Sequence, residues 1–338
     1  MKSIRHTFCL LAIITLFAVS LTAVNAQDDR PTIGRCINLG NTLEAPVEGE
    51  WGFVIAESDM QTIASAGFDS VRIPIRWSVH AAETAPYTID ADFFERIDEV
   101  IGWALDAGLQ PIINIHHYDA MIAEPAEHRE RFMALWQQIT ERYIDQPSSL
   151  IFELLNEPNG NLRATLWNRY HRAALAMIHE IDPDRTVMIG GTNWNSARDL
   201  YNLLLPEDHD YLIATFHNYE PFQFTHQGAE WVDGSTPWLG KTWGSDYDYR
   251  EMQKLFDLVE DWQADRDGIP VVMGEFGAYS KADMDSRLLW TRAVVEESEA
   301  RGFGWCYWEF AAGFGIYDRT TQQFNPLLEA LIPATDPS

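Results

Sequence analysis

Short apolar runs alternate along this chain with longer segments whose apolar residues return every three or four positions. The runs cover residues 35–39, 70–75, 111–116, 150–155, 186–190, 211–217, 271–275 and 304–308. Their length and their Val/Ile content predict strands buried on both faces, as in a parallel sheet. The three- and four-residue periodicity predicts helices over 57–66, 92–107, 130–143, 165–181, 249–262 and 283–299. Asp92 is placed to cap the second of these helices, and Gly108 stands just past its end.

Roughly eight β/α alternations predict one domain with a (β/α)8 TIM-barrel fold. A doubly wound open sheet is the competing α/β arrangement. It calls for a glycine-rich dinucleotide loop after an early strand, and the nearest candidate, Gly34 to Gly40, has the wrong spacing. No internal repeat, linker or low-complexity stretch marks an appended module.

Composition changes this picture first at the amino terminus. Residues 1–26 open with Lys2, Arg5 and His6, continue as an apolar run from Phe8 to Val24, and end in Val24-Asn25-Ala26. That is the order of a cleaved export signal, and the acidic Gln27-Asp28-Asp29 that follows favours cleavage over a retained anchor. A secreted mature domain over 27–338 is expected, with no membrane attachment. The formal net charge of −27 becomes −29 when Lys2 and Arg5 leave with the signal. Such a chain repels nucleic acid and anionic surfaces and leaves neutral polymers as partners. Nothing calls for a second subunit, so a monomer is expected.

Cys9 falls in the leader. Cys36 and Cys306 are far apart and have neither metal-ligand spacing nor the density of a disulfide scaffold, so they read as two buried free thiols. Export leaves a bridge open, because the first and eighth strands become neighbours when a barrel closes. The 13 Trp and 12 Tyr supply flat apolar faces edged by hydrogen-bonding groups, which suit sugar rings.

In a barrel of this kind chemistry gathers at the carboxyl ends of the strands. Every predicted end here is polar: Asn38 to Asn41 with Glu44, Arg72, His116-His117, Asn156-Glu157, Asn193-Trp194, His217-Asn218-Tyr219, Glu275 and Trp308-Glu309. Polar groups at all eight ends would be costly to bury without a shared purpose. Cleaving an acetal needs one carboxyl to protonate the leaving oxygen and another to meet the cationic carbon. Glu157 and Glu275, ending the fourth and seventh strands, can face each other across a closed barrel.

At these residues the chain resembles glycoside hydrolase family 5 of clan A. Asn156-Glu157-Pro158 and Gly274-Glu275-Phe276-Gly277 match its two catalytic segments, and the likeness runs through Arg72, His116, His217, Tyr219 and Trp308. It is closer still to a bacterial branch of endoglucanases, some of which also cut mannan, through Leu43-Glu44-Ala45-Pro46, the stretch from Ile73 to Ser78, and the stretch from Phe222 to Trp231. One departure is Asn218, where an aromatic residue is common. The resemblance implies a retaining mechanism with Glu157 as acid/base and Glu275 as nucleophile. It implies that Arg72 keeps Glu275 ionised by lowering its pKa, Asn156 binds the 2-hydroxyl at the cleavage point, and Tyr219 donates to Glu275. It places His116 and His217 near the carboxylates and Trp308 beneath the distorted sugar. Asn41, Glu44, His117, Trp194, His226 and Trp231 are expected along the cleft, with Glu44 hydrogen-bonding sugar hydroxyls.

No cofactor is called for. The His and Glu residues lack the spacing of a His-Glu-x-x-His helix or a Cys pair, and no metal site is expected. The leading expectation is an endo-β-1,4-glucanase acting on a β-linked polysaccharide. An endo-β-mannanase or glucomannanase shares the machinery. A non-catalytic carbohydrate-binding barrel would have lost one carboxylate, and both stand here. An exo-acting enzyme needs a long loop closing the cleft, and a compact chain without a long insertion favours an open groove.

Overall fold

The computed structural model describes residues 32–206 and 210–333. The predicted leader, with its Cys9, lies outside the described residues. Eight parallel strands close into one barrel in sequence order: β1 (Arg35–Asn38), β2 (Ser70–Ile73), β3 (Gln110–Asn114), β4 (Ile151–Glu153), β5 (Val187–Gly190), β6 (Leu212–Asn218), β7 (Val271–Phe276) and β8 (Gly304–Tyr307). The (β/α)8 expectation is met.

Alternation along each strand explains the interior. Residues i and i+2 share a face, and the inward positions form two layers of opposite character. The lower layer is Cys36, Ile112, Ile151, Met188, Ile213, Val272 and Cys306, closed by Ile33. Two residues further along the strands stand Asn38, Asn114 and Glu153, all fully buried, with Arg72 from β2 beside them. The floor is apolar, and the layer beneath the mouth is polar and charged.

The cysteines correct the free-thiol reading. Cys36 and Cys306 are directly paired across β1 and β8 and joined by a disulfide. Barrel closure brings the first and last strands together, the route by which the sequence had left a bridge open.

Long helices cover most of the outside: Glu57–Ser65, Ala91–Asp106, Pro125–Tyr143, Ala164–Ile181, Asp246–Ala264 and Met284–Ala300. Asp90, not Asp92, occupies the N-cap position of the second, and Asp92 sits in its first turn. Gly108 follows its end at φ 78°, a conformation that favours glycine. The third starts earlier than its periodicity suggested because Pro125 opens its first turn.

Two departures from regular alternation shape the mouth. Between β5 and β6 the described residues carry only Thr192–Asn195 and the 3-10 turn Ala197–Asn202. Gly191, Asn193, Asn195 and Asn202 deny that segment a helical run. Between β6 and its following helix, residues 219–245 form a long excursion, contrary to the expected absence of insertions. Among the described residues no helix is long and apolar enough to cross a membrane.

Candidate active site

Strand β7 is irregular where it matters. Its pairing with β6 runs Phe216 to Met273 and then His217 to Glu275, skipping Gly274. The skipped position must be glycine, since a Cβ there would lie 2.7 Å from Thr215 Oγ1 and 3.1 Å from His217 Nε2. The irregularity turns Glu275 into the mouth beside His217.

Arg72 is the hub beneath the site. Its Nε and Nη2 donate to both oxygens of Glu153, at 2.6 and 3.1 Å. Its Nη1 donates to Asn38 Oδ1 at 2.7 Å and Glu275 Oε1 at 2.8 Å, and Nη2 also reaches Asn156 Oδ1 at 2.7 Å. Burial works against the guanidinium charge, but Glu153 and Glu275 outweigh it and hold Arg72 protonated. With Oδ1 of Asn156 occupied, its amide nitrogen is the group left to face the cavity.

Glu275 also accepts from the Tyr219 hydroxyl at 2.9 Å, and burial beside Glu275 pushes the Tyr219 hydroxyl pKa upward, keeping it a donor. Glu157 lies across the mouth at φ 47°, its Oε1 2.9 Å from His217 Nδ1. The same nitrogen is 3.6 Å from Glu275 Oε2. Burial holds His217 neutral, lowering its pKa to about 4, despite the opposing pull of Glu275. Asn195 Nδ2 donates to Nε2 at 3.3 Å, so the single ring proton sits on Nδ1 and faces the carboxylates. His116 is likewise held neutral by burial and by its cationic neighbours. Its Nδ1 accepts from Asn114 at 3.2 Å, which leaves its proton on Nε2.

The two carboxyls differ. Burial raises Glu157 to about 7, with Arg72 offsetting only part of this. Burial also raises Glu275, against the pull of His217 and Arg72. The expectation that Arg72 lowers the Glu275 pKa is therefore corrected in its net direction: the guanidinium acts in the predicted sense, but desolvation by burial exceeds it. Oxygens of Glu157 and Glu275 and a His217 nitrogen all lie within 4.8 Å of one another. A metal could be imagined there, but His217 presents a proton rather than a lone pair to the glutamates, and the Arg72 charge already serves Glu275.

These groups open into a cavity of about 1470 Å³. Asn41, His116, His117, Asn156, Glu157 and Trp194 line it, with His217, Tyr219, His226, Trp231, Glu275 and Trp308. Trp308 is stacked near His116, ring centroids 5.9 Å apart and planes 15° off parallel. Gly40 makes room for its indole, because a Cβ there would lie 2.7 Å from Cζ2. Trp231 is 60% exposed and meets Tyr279 edge-on at 4.9 Å, while Trp194, 56% exposed, stands on a run of three left-handed residues, Asn193 to Asn195. Asn218 also lines the wall, its Oδ1 accepting from Glu220 N at 3.0 Å.

Glu44 is a correction. It is fully buried and absent from the cavity wall, and its oxygens accept from the backbone amides of Asn41 and Thr42. Its role is to hold the left-handed turn at Asn41, not to meet sugar. Burial raises it to about 7. Asn41 in turn donates to Glu309 at 3.2 Å, and burial raises Glu309 to about 8.

Sequence reasoning missed the support beneath the site, above all Glu153, and with it Asn114 and Asn195. A lone acid within Ile151-Phe152-Glu153-Leu154 was the available signal, since an ionised side chain there demands a buried partner. The wall residues Trp51, Tyr279 and Phe314 carried no such mark.

The family model for Cellulase (glycosyl hydrolase family 5) matches residues 37–313. The chain belongs to glycoside hydrolase family 5. Endoglucanase H of Acetivibrio thermocellus is 39% identical over 315 residues, a stretch covering 90% of this chain and 33% of that protein. The chain thus spans about a third of that relative. Endoglucanase B of Clostridium cellulovorans is 30% identical, over 83% of this chain and 69% of its own length. Among solved structures, Thermotoga maritima Cel5A in complex with a mannotriose substrate superposes with a TM-score of 0.88 at 49% identity, covering 90% of this chain and 99% of that one. The same Cel5A in complex with cellobiose gives the same TM-score and identity.

Proposed function

We propose that this family 5 member is a secreted, retaining endo-β-1,4-glucanase. The observation carrying the mechanism is the approach of Glu157 and Glu275 to within 4.8 Å. That is close to the separation of about 5–5.5 Å used by retaining enzymes and short of the roughly 6.5–9.5 Å that admits a water for inversion.

Glu275, held by Arg72 and Tyr219, attacks the anomeric carbon while Glu157, protonated near neutral pH, gives its proton to the leaving oxygen. Water then releases the glycosyl group, with Glu157 taking the proton back. The Asn156 amide donates to the 2-hydroxyl, and Trp308 supports the ring as it flattens. The His217 proton, shared toward both carboxylates, steadies whichever of them is charged. Export is supported by the leader-like sequence of residues 1–26 and by the Cys36–Cys306 bridge, which suits an oxidising compartment.

A second reading, tolerance of β-mannan, is favoured by the Cel5A neighbour, solved with both mannotriose and cellobiose. The test is reducing-sugar release from barley-type β-glucan, carboxymethylcellulose and mannan, with NMR of the first-formed anomer. Retention of β configuration and release from glucan are expected. Release from mannan alone removes the glucanase assignment, and an α product removes the mechanism.

A further inference from the structure

Trp231 lies in a small ring of the excursion over 219–245, closed where Gly228 N donates to Ser235 O at 3.1 Å. Inside that ring Ser235 Oγ donates to Ala229 O at 2.7 Å. The indole lines the cavity yet is 60% exposed, and its neighbours are other rings: Tyr279 at 4.9 Å, Phe314 at 6.1 Å and His226 at 6.4 Å. Contacts of this kind are weak one at a time. The orientation of the indole therefore depends on how firmly the backbone beneath it is placed.

The loop between β7 and the next helix, residues 277–283, places it. Tyr279 N donates to Thr225 O at 2.8 Å, and the Tyr279 hydroxyl donates to Glu230 Oε2 at 2.8 Å. Lys281 Nζ donates to Gly228 O at 2.7 Å and pairs with Glu230 Oε1. Its stem crosses Gly228, where a Cβ would lie 2.9 Å from Lys281 Cδ, and the φ of 68° there favours glycine as well. The hydrogen bonds from Lys281 and Tyr279 hold the Glu230 carboxyl down to about 2, so it stays charged. Ser280 N donates to Gly313 O at 3.0 Å, tying the same loop to the one after β8.

The side chains of Lys281 and Glu230 are 39% and 64% exposed, and an ion pair so placed adds little to the stability of the fold. Its geometry is specific all the same. One carboxylate accepts from two side chains of a single loop, and Glu230 is the residue directly before Trp231. Tyr279 contributes twice, with its hydroxyl to Glu230 and its ring to Trp231. Because the loop begins where β7 ends, the clamp sets Trp231 from the same strand that carries Glu275.

We infer that Glu230, Tyr279 and Lys281 are positioning residues that hold Trp231 as a preformed stacking face for a sugar beyond the cleavage point. The inference rests on the glucanase reading above, in that a polysaccharide must cross the mouth. Trp231 is three contacts from Glu275, through His226, Tyr219 and the Tyr219–Glu275 hydrogen bond. A sugar stacked on it is not the one being opened, so its binding bears on KM rather than on kcat. A face fixed in advance spares the complex the entropy of ordering the excursion. Loosening the clamp weakens the hold on the polymer while the carboxylates keep their rate.

The test uses Lys281→Met, which keeps an apolar stem over Gly228 and removes the ammonium, and Lys281→Arg, which keeps the charge. Trp231→Ala is made alone and together with Lys281→Met. The substrate is whichever β-1,4 polymer wild type cuts, glucan or mannan. An enzyme cutting mannan alone thus removes the glucanase reading and still tests the clamp. Lys281→Met is expected to raise KM about fivefold with kcat within about twofold of wild type. Its melting temperature should stay within about 2 °C, as an exposed ion pair implies. Lys281→Arg should recover most of the KM. Adding Lys281→Met to Trp231→Ala should change nothing further, because no indole remains to be placed. Equal rises in KM in the two backgrounds overturn the inference, as do an unchanged KM or a loss confined to kcat in Lys281→Met. A collapse of the melting temperature makes the contact a structural one and overturns it too. Wild type that cuts no β-1,4 polymer brings down both readings.

Discussion

Arg72 and Glu153 share a doubled hydrogen bond, Nε to Oε2 at 2.6 Å and Nη2 to Oε1 at 3.1 Å, in a layer where neither side chain has exposed surface. A pair buried this completely costs little only while it is intact. Replacing Glu153 with Ala leaves the guanidinium one carboxylate short, and a loss of about 3–5 kcal/mol in unfolding free energy is expected. Urea denaturation measures it. A loss under about 1 kcal/mol would mean that Glu275 and the amides suffice.

Removing either carboxyl should divide the two steps. Glu275→Ala is expected to abolish turnover on every substrate. Glu157→Ala should lose about 10²–10⁴-fold on polysaccharide but retain a burst of aryl release from a β-glycoside with a good leaving group, because that bond breaks without an acid. Azide should then accelerate turnover and yield a β-glycosyl azide. Burst kinetics with and without azide decide it.

The pH profile follows from the same pair. Glu157 must be protonated to act first, and burial sets it at about 7, so kcat/KM should fall as pH rises through that value. Glu275 must be ionised, and its raised pKa moves the acid limb above the ordinary carboxylate range. Arg72→Lys keeps the charge but loses the fork, which should carry the acid limb higher still. A limb that stays put in that variant would exclude Arg72 as the tuning group.

Glu309 predicts a stability effect rather than a rate effect. Its folded pKa, pushed by burial to about 8, exceeds the ordinary carboxyl value of 4.5. Between those values the folded state holds a proton that the unfolded state has released, so stability declines as pH rises across that window. Glu309→Gln cannot titrate. Its melting temperature relative to wild type should therefore improve from pH 5 to pH 8. Parallel melting curves for the two proteins would sink the assignment.

The inter-strand bridge gives a fifth expectation. Cys36→Ser with Cys306→Ser should cost about 2–5 kcal/mol, since the bridge closes a very long loop of the unfolded chain. Calorimetry of the double variant against wild type tests it.

These outcomes divide the site into what the sequence could and could not reveal. The eight strands were legible because each is a compact apolar run, and the facing glutamates, our proposed catalytic pair, because each ends such a run next to a short polar motif. Glu44 was misplaced because two backbone amides, which have no sequence signature, turn it inward. Glu153 was passed over because alternation places it in the barrel interior only once the strand register is known.

The bond between the first and last strands has one more consequence. Any single cut in the chain between Cys36 and Cys306 leaves two pieces that are still one covalent molecule. Most of the loops that carry the site fall inside that span, including the long excursion over 219–245. In the secreted protein we propose, where proteases meet exposed loops first, a nicked copy would keep its two halves at the local concentration needed to stay assembled.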